Sequence, residues 1–230
     1  MHNAPLPVSL IVPCLNESRI IAEFIEHIKV EQFQEVIIVD GGSADETEEI
    51  VATYPVEWYT TGLARRSVQM NYGAKQAKAE YLLFLHADVR PGLDFYAQLS
   101  KSIEQSLSCA NFRLRFDLSH WFLKFNAFFT RFTFLPFQFG DQGLLIRKEV
   151  FDLERFNEDM VLLEDQELLR RLRKSGHLCK KINSTLSVSA RAYRRTGVIK
   201  MQFIYYLIYI AYRLGLSQPK LFRLYRRLLT

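Results

Sequence analysis

Apolar residues over the first hundred positions form short continuous runs, separated by stretches with helical spacing. The runs predict buried strands at residues 8–13, 35–40, 56–59 and 80–85. The intervening stretches predict helices at about residues 18–29, 43–54 and 64–78. Ser43 and Glu46 have the S-x-x-E spacing of a capping box, so we expect them to begin the second helix. This alternation predicts an α/β fold built from parallel β-α-β units.

The pattern changes after residue 108. Residues 109–117 alternate, with Phe112, Leu114 and Phe116 on one side and two arginines on the other, which predicts a half-exposed strand. Another strand is predicted at residues 144–147. Helices are predicted from Leu163 to a C-terminal Gly176 and at residues 199–213 and 218–229. No repeat and no linker separates a second domain.

Polar side chains follow three of the predicted strands, at the point where each strand ends. They are Asn16 and Glu17, then Asp40, then His86 with Asp88. Ligands bind at the carboxyl ends of the strands in parallel α/β sheets, so this coincidence predicts an active site there.

Several of these residues allow two interpretations. Asp88 and His86 have the chemistry to bind a divalent cation, but the same segment fits a turn with a hydrogen-bonded histidine. Glu164 and Asp165 open a helix, where a carboxylate acts as a general base or complements the helix dipole. Arg65 and Arg66 fit either a phosphate site or an exposed helix face.

Charge is distributed unevenly along the chain. Residues 1–165 carry 15 Lys and Arg against 24 Asp and Glu, a net charge of −9, whereas residues 166–230 carry 15 against one acid, a net charge of +14. The basic part indicates an anionic partner, or a solvated helical face that contacts the acidic half. A nucleic-acid-binding function leaves the acids at the strand ends unexplained, so we expect no nucleic-acid partner.

Cys14, Cys109 and Cys179 are odd in number and lack C-x-x-C spacing. They favour reduced, buried thiols in a reducing compartment over a disulfide framework or a zinc site. The first residues lack the features of a signal peptide. Residues 198–216 are the nearest approach to a membrane span, but three polar residues interrupt them, which favours an interfacial helix. We therefore expect a cytoplasmic protein.

Five motifs follow one another along the chain. They are Ile11-Val-Pro-Cys-Leu-Asn-Glu17, Val39-Asp-Gly-Gly-Ser-Ala-Asp-Glu-Thr47, Leu85-His-Ala-Asp88, Gly140-Asp-Gln-Gly143 and Glu164-Asp-Gln-Glu-Leu-Leu-Arg-Arg-Leu-Arg173. In this order they resemble the family 2 glycosyltransferases of GT-A fold, and most closely the short, single-domain bacterial members with His-Ala-Asp in place of Asp-x-Asp. The stretch Tyr212 to Ser217 is similar to the end of that subgroup, so the resemblance covers nearly the whole chain.

The resemblance implies a Rossmann-like, mixed and mostly parallel sheet flanked by helices, followed by C-terminal helices. It implies one domain over residues 1–230, with a nucleotide-binding half at about 1–110 and an acceptor half at about 111–230. The implied activity is inverting transfer of a sugar from a UDP-, GDP- or dTDP-sugar to a hydroxyl, assisted by Mn²⁺ or Mg²⁺.

The resemblance also implies residue roles. Asp88 binds the metal with His86 in reach of the same ion, and Asp165 is the general base with Glu164 as the alternative. Asp40 contacts the base of the nucleotide, and Arg65 or Arg66 lies near the diphosphate. The full nucleotide-sugar set is Pro13, Asn16, Glu17, Asp40, Ser43, Arg65, Arg66, Asp141 and Gln142.

Ten Phe and Trp121 lie between Phe112 and Phe139. We expect more than half of these rings in the core and the others along an acceptor groove that takes a sugar, a lipid or a polyisoprenoid-like chain. With the basic segment and the apolar helix at residues 198–216, this indicates peripheral contact with the anionic inner face of a membrane.

Two alternatives to a glycosyltransferase, each from another functional class, are also considered. One is a binding module that recognises nucleotide-sugars or interacts with a membrane without turnover, which has no need of Glu17, Asp40, Asp88 and Asp165 together. The other is a sugar-phosphate nucleotidyltransferase, which we expect to carry a Gly-rich basic loop after the first strand. Residues 13–17 are not such a loop.

Overall fold

A computed structural model describes residues 4–133 and 140–229, and in these residues one eight-stranded sheet carries helices on both faces. The strands are β1 Leu6–Cys14, β2 Phe33–Asp40, β3 Glu57–Thr60, β4 Tyr81–Phe84, β5 Val89–Pro91, β6 Cys109–Phe116, β7 Leu144–Arg147 and β8 Lys180–Val188. The helices are α1 Ile21–His27, α2 Thr47–Val51, α3 Arg66–Gln76, α4 Phe95–Glu104, α5 Trp121–Phe129, α6 Lys148–Glu154, α7 Glu164–Lys174, α8 Arg191–Thr196, α9 Val198–Arg213 and α10 Gln218–Leu229. Short 3-10 helices span Val30–Gln32 and Gly140–Gln142.

The sheet is mixed, with the strand order β3-β2-β1-β4-β7-β6-β8-β5. Parallel pairs join β1 to β2 and β4, β2 to β3, and β6 to β8. Antiparallel pairs join β7 to β4 and β6, and β5 to β8. The predicted mixed, mostly parallel sheet is confirmed, and the carboxyl ends of β1, β2 and β4 lie at one edge.

Alternate residues of the central strands supply two separate cores. Leu10 and Val12 of β1 pack with α1 and α4 on one face, whereas Ile11 packs with α3, α6 and α7 on the other. Because both faces are covered, these strands contain nearly continuous apolar runs, which is why the sequence pattern detects them well.

The predicted strands of the first half and the two C-terminal helices are confirmed within a few residues. Helix α7 ends at Lys174, and the predicted terminating glycine, Gly176, follows the C-cap residue Ser175 with a φ of +86°. The His177 N–H donates to the Leu172 carbonyl at 2.8 Å. The prediction did not include α4, α5, α6, α8, β5 and β8. In the two described stretches of chain, no helix has both the length and the apolar character that crossing a bilayer requires.

The prediction of a capping box at Ser43 and Glu46 is wrong. Helix α2 begins at Thr47, its preceding residue Glu46 makes no side-chain cap hydrogen bond, and Ser43 lies in the loop before it. The Ser43 hydroxyl instead donates to Asp40 Oδ1 at 2.5 Å. The hydroxyl is used by the preceding acidic turn, and the helix starts one turn later than the spacing indicates.

The expectation of three reduced thiols is also wrong. Cys109 and Cys179 form a disulfide with their Cα atoms 4.5 Å apart, and Cys14 is the free, buried cysteine. The reason is sheet register: Ala110 pairs with Lys180 between the parallel strands β6 and β8, which brings the two preceding cysteines together. The cysteines therefore give no support for a reducing compartment.

The aromatic stretch is less buried than expected. Among the described rings from Phe112 to Phe132, Phe112 is buried, and the others are half-buried or exposed. Residues 121–129 form an amphipathic helix, α5, whose single-sided burial cannot hold most of its rings in a core. Phe134, Phe137 and Phe139 lie outside the described residues.

Candidate active site

The loops after β1 and β2 are tied together by short hydrogen bonds. Asn16 adopts a left-handed conformation with φ +53°, and its N–H donates to Ser43 Oγ at 2.8 Å. In return, the Ala44 N–H donates to Asn16 Oδ1 at 2.8 Å. Pro13 is buried within β1 opposite Val39. The predicted nucleotide-binding residues of the first two strands therefore form one preorganised edge.

Asp40 is buried and organises the turn that follows β2. Its Oδ2 accepts hydrogen bonds from the N–H groups of Gly42 at 2.7 Å and Ser43 at 2.8 Å. The Ser43 hydroxyl donates to Oδ1, and the Cys14 thiol lies 3.8 Å from the same oxygen. These hydrogen bonds use several of the acceptor positions of the Asp40 carboxylate oxygens. A contact between Asp40 and a nucleotide base stays a prediction.

Glu17 faces a cation that the sequence analysis missed. Both guanidinium nitrogens of Arg191, on α8, lie 3.3 Å from a Glu17 carboxylate oxygen. Burial raises the pKa of Glu17, and Arg191 partly opposes that rise. Arg191 and Asp88 line one cavity, and Arg191 partly opposes the rise that burial causes in the pKa of Asp88. The charge count singled out the basic segment but not this residue.

Arg65 and Arg66 are adjacent but have different surroundings. Arg65 Nη1 donates to the Glu158 carbonyl at 2.8 Å, which fastens the start of α3 to a distant loop. Burial disfavours the charge on Arg66, but Glu164, Asp141, Asp88 and Asp165 together raise its pKa above the ordinary value. Arg66 is therefore the arginine that faces the acidic cluster.

The acidic cluster joins residues from three distant parts of the chain. Burial raises the pKa of Asp88 and of Glu164. Burial and Asp88 raise the pKa of Asp141 to about 6, and burial and Glu164 raise that of Asp165 to about 7. Burial and Arg66 lower the pKa of His86 to about 3, so its imidazole is neutral at physiological pH.

Gly140 leaves open space between two of these groups. A Cβ atom at this position would lie 3.2 Å from His86 Nε2 and 3.4 Å from Asp165 Oδ2. The same cavity is lined by Asn111 and Glu164 and has apolar walls that include Met70 and Phe84. The side chains of Asp165 and the neutral His86 thus line one small cavity.

A second polar group on β6 and β8 was missed by the sequence analysis. Asn111 pairs with Lys181 across these strands, and the Lys181 ammonium donates to Gln142 Oε1. Burial and nearby Arg113 lower the pKa of Lys181 to about 7. Asn111 Oδ1 is buried without a hydrogen-bond partner. Gln142 is fully buried, so it holds Lys181 beside the cavity.

No group of three or more His, Cys, Asp or Glu side chains converges as metal ligands within residues 4–133 and 140–229. The donor set fits a cation with fewer protein ligands. Mg²⁺-type cations at phosphate sites are commonly held by one or two carboxylates together with substrate phosphates. Asp88 is a carboxylate of this kind and lines a cavity with Arg191, whereas the neutral His86 lines a different cavity beside Gly140. Burial, and then the charge of Asp88, raises the pKa of Asp141.

Solved structures with the same fold were found at low sequence identity. TarS residues 1–349 of S. aureus has a TM-score of 0.65 at 16% identity, over 97% of this chain and 71% of that one. The mannosyltransferase PcManGT of Pyrobaculum calidifontis, in complex with GDP-Man and Mn²⁺, has a TM-score of 0.64 at 19% identity, over 98% and 70%. Glucosyl-3-phosphoglycerate synthase of Mycobacterium tuberculosis, in complex with Mn²⁺, UDP and glucosyl-3-phosphoglycerate, has a TM-score of 0.65 at 15% identity, over 91% and 80%. The predicted GT-A fold is confirmed.

A sequence relative is the dolichyl-phosphate beta-glucosyltransferase ALG5A of Trichomonas vaginalis. It is 28% identical over 124 residues, which are 47% of this chain and 38% of the relative. The chain therefore spans well under half the length of this relative. The profile of glycosyl transferase family 2 matches residues 9–153, which include the first three sequence motifs, the loop of Gly140 and strand β7. The chain belongs to glycosyl transferase family 2.

Proposed function

We propose that this protein transfers a sugar from a nucleotide-sugar to an acceptor hydroxyl with inversion at the sugar. The observation that carries the proposal is the cavity beside Gly140, which His86, Glu164 and Asp165 line together. Glu164, Asp141, Asp88 and Asp165 all stabilise the charge of the buried Arg66 and raise its pKa. The alternative is a binding module without turnover. Buried acids that raise one another's pKa destabilise a fold, and binding alone gives no reason to keep them.

Asp165 has the properties of the general base. It lines the cavity with Asn111, and a pKa of about 7 suits a group that takes a proton from a hydroxyl at neutral pH. In an inverting displacement, the base deprotonates the acceptor hydroxyl as it attacks the sugar carbon opposite the leaving diphosphate. Glu164 lines the same cavity and is the second candidate.

The metal belongs to the donor side of this proposal. We propose Asp88 as the ligand of Mn²⁺ or Mg²⁺, with His86 in reach of the same ion. A bound divalent cation stabilises the negative charge that develops on the leaving diphosphate. Arg66 and Arg191 add fixed positive charge beside Asp88, so they assist the same leaving group.

The donor is a UDP-, GDP- or dTDP-sugar in this proposal. Two structural neighbours support a nucleotide-sugar with Mn²⁺, since PcManGT is in complex with GDP-Man and the mycobacterial synthase with UDP. Asn16, Glu17, Asp40 and Ser43 form the preorganised edge proposed to hold the nucleotide. Asp141 is proposed to face the transferred sugar.

The acceptor is proposed to be a lipid or a polyisoprenoid-like molecule, and the enzyme to work at the cytoplasmic face of a membrane. The sequence relative named for dolichyl-phosphate supports the acceptor class. The net charge of +14 over residues 166–230 supports the location, because the cytoplasmic leaflet carries anionic lipids.

A donor panel tests the proposal. We expect release of nucleoside diphosphate from one class of UDP-, GDP- or dTDP-sugar when a polyprenyl phosphate or another lipid acceptor and Mn²⁺ are present. Asp88→Ala should remove the Mn²⁺-supported part of donor binding in calorimetry, with an unchanged melting temperature. Donor binding without release for every acceptor would favour the binding module. Unchanged Mn²⁺-supported donor binding in Asp88→Ala would show that Asp88 is not the metal ligand.

A further inference from the structure

Helix α5 presents a stripe of aromatic rings to solvent. Trp121, Phe125 and Phe128 are 68%, 53% and 47% exposed, and their spacing of four and three residues places them on one helix face. Phe132, which is 40% exposed, lies just after the helix. The opposite face is anchored: Leu123 and Asn126 are buried, and Thr130 Oγ1 accepts from the Leu114 N–H at 3.0 Å. The stripe is therefore held rigidly outward.

Helix α9 carries a second exposed apolar stripe beside the first. Ile199, Phe203 and Ile210 are 65%, 63% and 53% exposed, although Ile204 and Ile208 on the same helix are buried. The two helices touch, and Tyr206 Oη donates to Asn126 Oδ1 at 2.9 Å. We call the seven exposed residues the α5–α9 surface: Trp121, Phe125, Phe128, Phe132, Ile199, Phe203 and Ile210.

The charged residues on helices α5 and α9 are all basic. No Asp or Glu occurs in residues 118–133 or in residues 191–230. Lys124, Arg131, Lys200 and Arg213 are exposed on the two helices, and the Arg131 guanidinium lies 4.2 Å from the centre of the Phe128 ring. The nearby acid Asp117 is paired with Arg194 at 3.1 Å. Apolar helix faces bordered by basic side chains are complementary to an anionic lipid bilayer. A second copy of this chain would bring two cationic borders together.

We propose that the α5–α9 surface is the membrane-docking surface of this protein, with its rings in the interface of an anionic bilayer. This deepens the membrane contact of the proposed function and assigns it to α5 together with α9. Trp and Phe favour the headgroup boundary, and basic side chains gain from anionic lipid. Strand β6 joins this surface to the catalytic cavity, because it carries both Leu114, bonded to α5, and Asn111, which lines the cavity. Docking would orient the acceptor half toward lipid.

Trp121 provides a direct probe, since the chain has two tryptophans and the other is Trp58 in β3. In a Trp58→Phe protein, Trp121 emission should shift to shorter wavelength on anionic vesicles. These vesicles contain phosphatidylcholine with about 30–40% phosphatidylserine, which gives a negative surface. Phosphatidylcholine vesicles should give no shift, and the anionic shift should fade as salt rises. Co-sedimentation with anionic vesicles but no Trp121 shift would place docking on another surface and overturn the proposal.

A variant pair separates docking from catalysis and folding. Phe125→Ser with Phe203→Ser should weaken vesicle partitioning at least about tenfold, because binding scales with buried apolar area. The matched control is Leu153→Ser, an exposed apolar residue on α6, which should partition like the parent protein. Both proteins should keep the parent melting temperature and should release nucleotide with a soluble acceptor analogue. A loss of vesicle binding alone is then a failure of docking and not of catalysis or folding. Equal partitioning of all three, or a dimer that the double variant dissociates, would contradict the proposal.

Discussion

Glu164 and Asp165 are adjacent in the sequence, yet their surroundings differ. Asp165 reaches the cavity beside Gly140 and His86, and burial with Glu164 raises its pKa to about 7. Arg66 opposes the rise of the Glu164 pKa, which keeps that side chain more easily ionised. A pKa of about 7 suits a general base at neutral pH, and this favours Asp165 for that role.

Replacing Asp165 by Asn retains its shape and removes its basicity. We expect kcat to fall by about 10²–10⁴-fold, with donor affinity unchanged. The parent enzyme should be inactive when Asp165 is protonated, so kcat/KM should rise with pH and level off above about 7. A pH series of initial rates for the parent and both carboxamide variants measures this.

The control for that variant is Glu164→Gln. It should retain activity, and its pH profile should move to lower values, because removing the neighbouring charge eases ionisation of Asp165. An inactive Glu164→Gln beside an active Asp165→Asn would exchange the two roles.

Arg191 links Glu17 to the end of β4 and is a residue that the motifs do not contain. Arg191→Ala should weaken nucleoside diphosphate binding by about tenfold, since a charge-assisted hydrogen bond contributes about 1.5 kcal/mol. Calorimetry with UDP and GDP would measure the loss. The matched control is Arg195→Ala, an exposed arginine one turn further along α8. Equal nucleotide affinities of Arg191→Ala and Arg195→Ala would show that Arg191 does not contribute to nucleotide binding.

At the residue scale, the sequence predicted the acids of the site better than its cations. Asp88 follows a strand and Asp165 lies at the start of a helix, positions that the sequence pattern indicates, whereas Asp141 was implied by the resemblance of the Gly140-Asp-Gln-Gly143 motif. Arg191 and Lys181 reach the site only through the pairing of β8 with β6 and the placement of α8, which depend on contacts far apart in sequence. A charge count indicates that such residues exist but not which ones face the site.

The strands that are buried on both faces were predicted well, whereas helix α5 was not predicted. Helix α5 carries its phenylalanines and Trp121 on its exposed and flanking sides, whereas Leu123 and Asn126 are buried, so apolar spacing alone gave no indication of its buried side. The buried face was fixed by Leu123 and by hydrogen bonds of Asn126 and Thr130 to α9 and β6. The polar residues, rather than the rings, orient this helix.

Helix α3 depends on one close approach to the sheet. A Cβ atom at Gly73 would lie 2.6 Å from Ile11 Cγ2 and 3.0 Å from Val39 Cγ2, both in the buried core beneath the nucleotide loops. The absence of a side chain lets α3 pack directly on β1 and β2, which places Arg66 at the edge of the acidic cluster.

Gly73→Ala should therefore destabilise the protein by about 1–3 kcal/mol through overpacking, despite the better helix propensity of alanine. Urea unfolding followed by circular dichroism measures the change. Lys75→Ala is the matched control, because it alters an exposed position of the same helix and should change stability by less than about 0.5 kcal/mol. A Gly73→Ala protein as stable as the parent would mean that α3 moves away from β1 without cost.

At the scale of the whole molecule, two distant segments close the acceptor half. Cys109 at the start of β6 and Cys179 before β8 are 70 residues apart, and the loop between them contains Asp141, Glu164 and Asp165. Spacing along the chain gave no indication of this pair, because it arises from the register of two parallel strands that the sequence analysis did not match. Register is a property of the assembled sheet, which is why the cysteine count led to the wrong expectation.

The disulfide predicts how the molecule responds to reductant. In denaturant without reductant, a thiol reagent should find one reactive cysteine per chain, Cys14, and after reduction it should find three. Closing a loop of 70 residues lowers the entropy of the unfolded chain, so reduction should decrease the free energy of unfolding by up to about 4 kcal/mol. Cys179→Ser should show the same decrease and no further response to reductant, whereas Cys14→Ala should keep the full response. Three reactive thiols in unreduced, denatured protein would contradict the pairing, and the acceptor half would then be held together by the sheet and its cores alone.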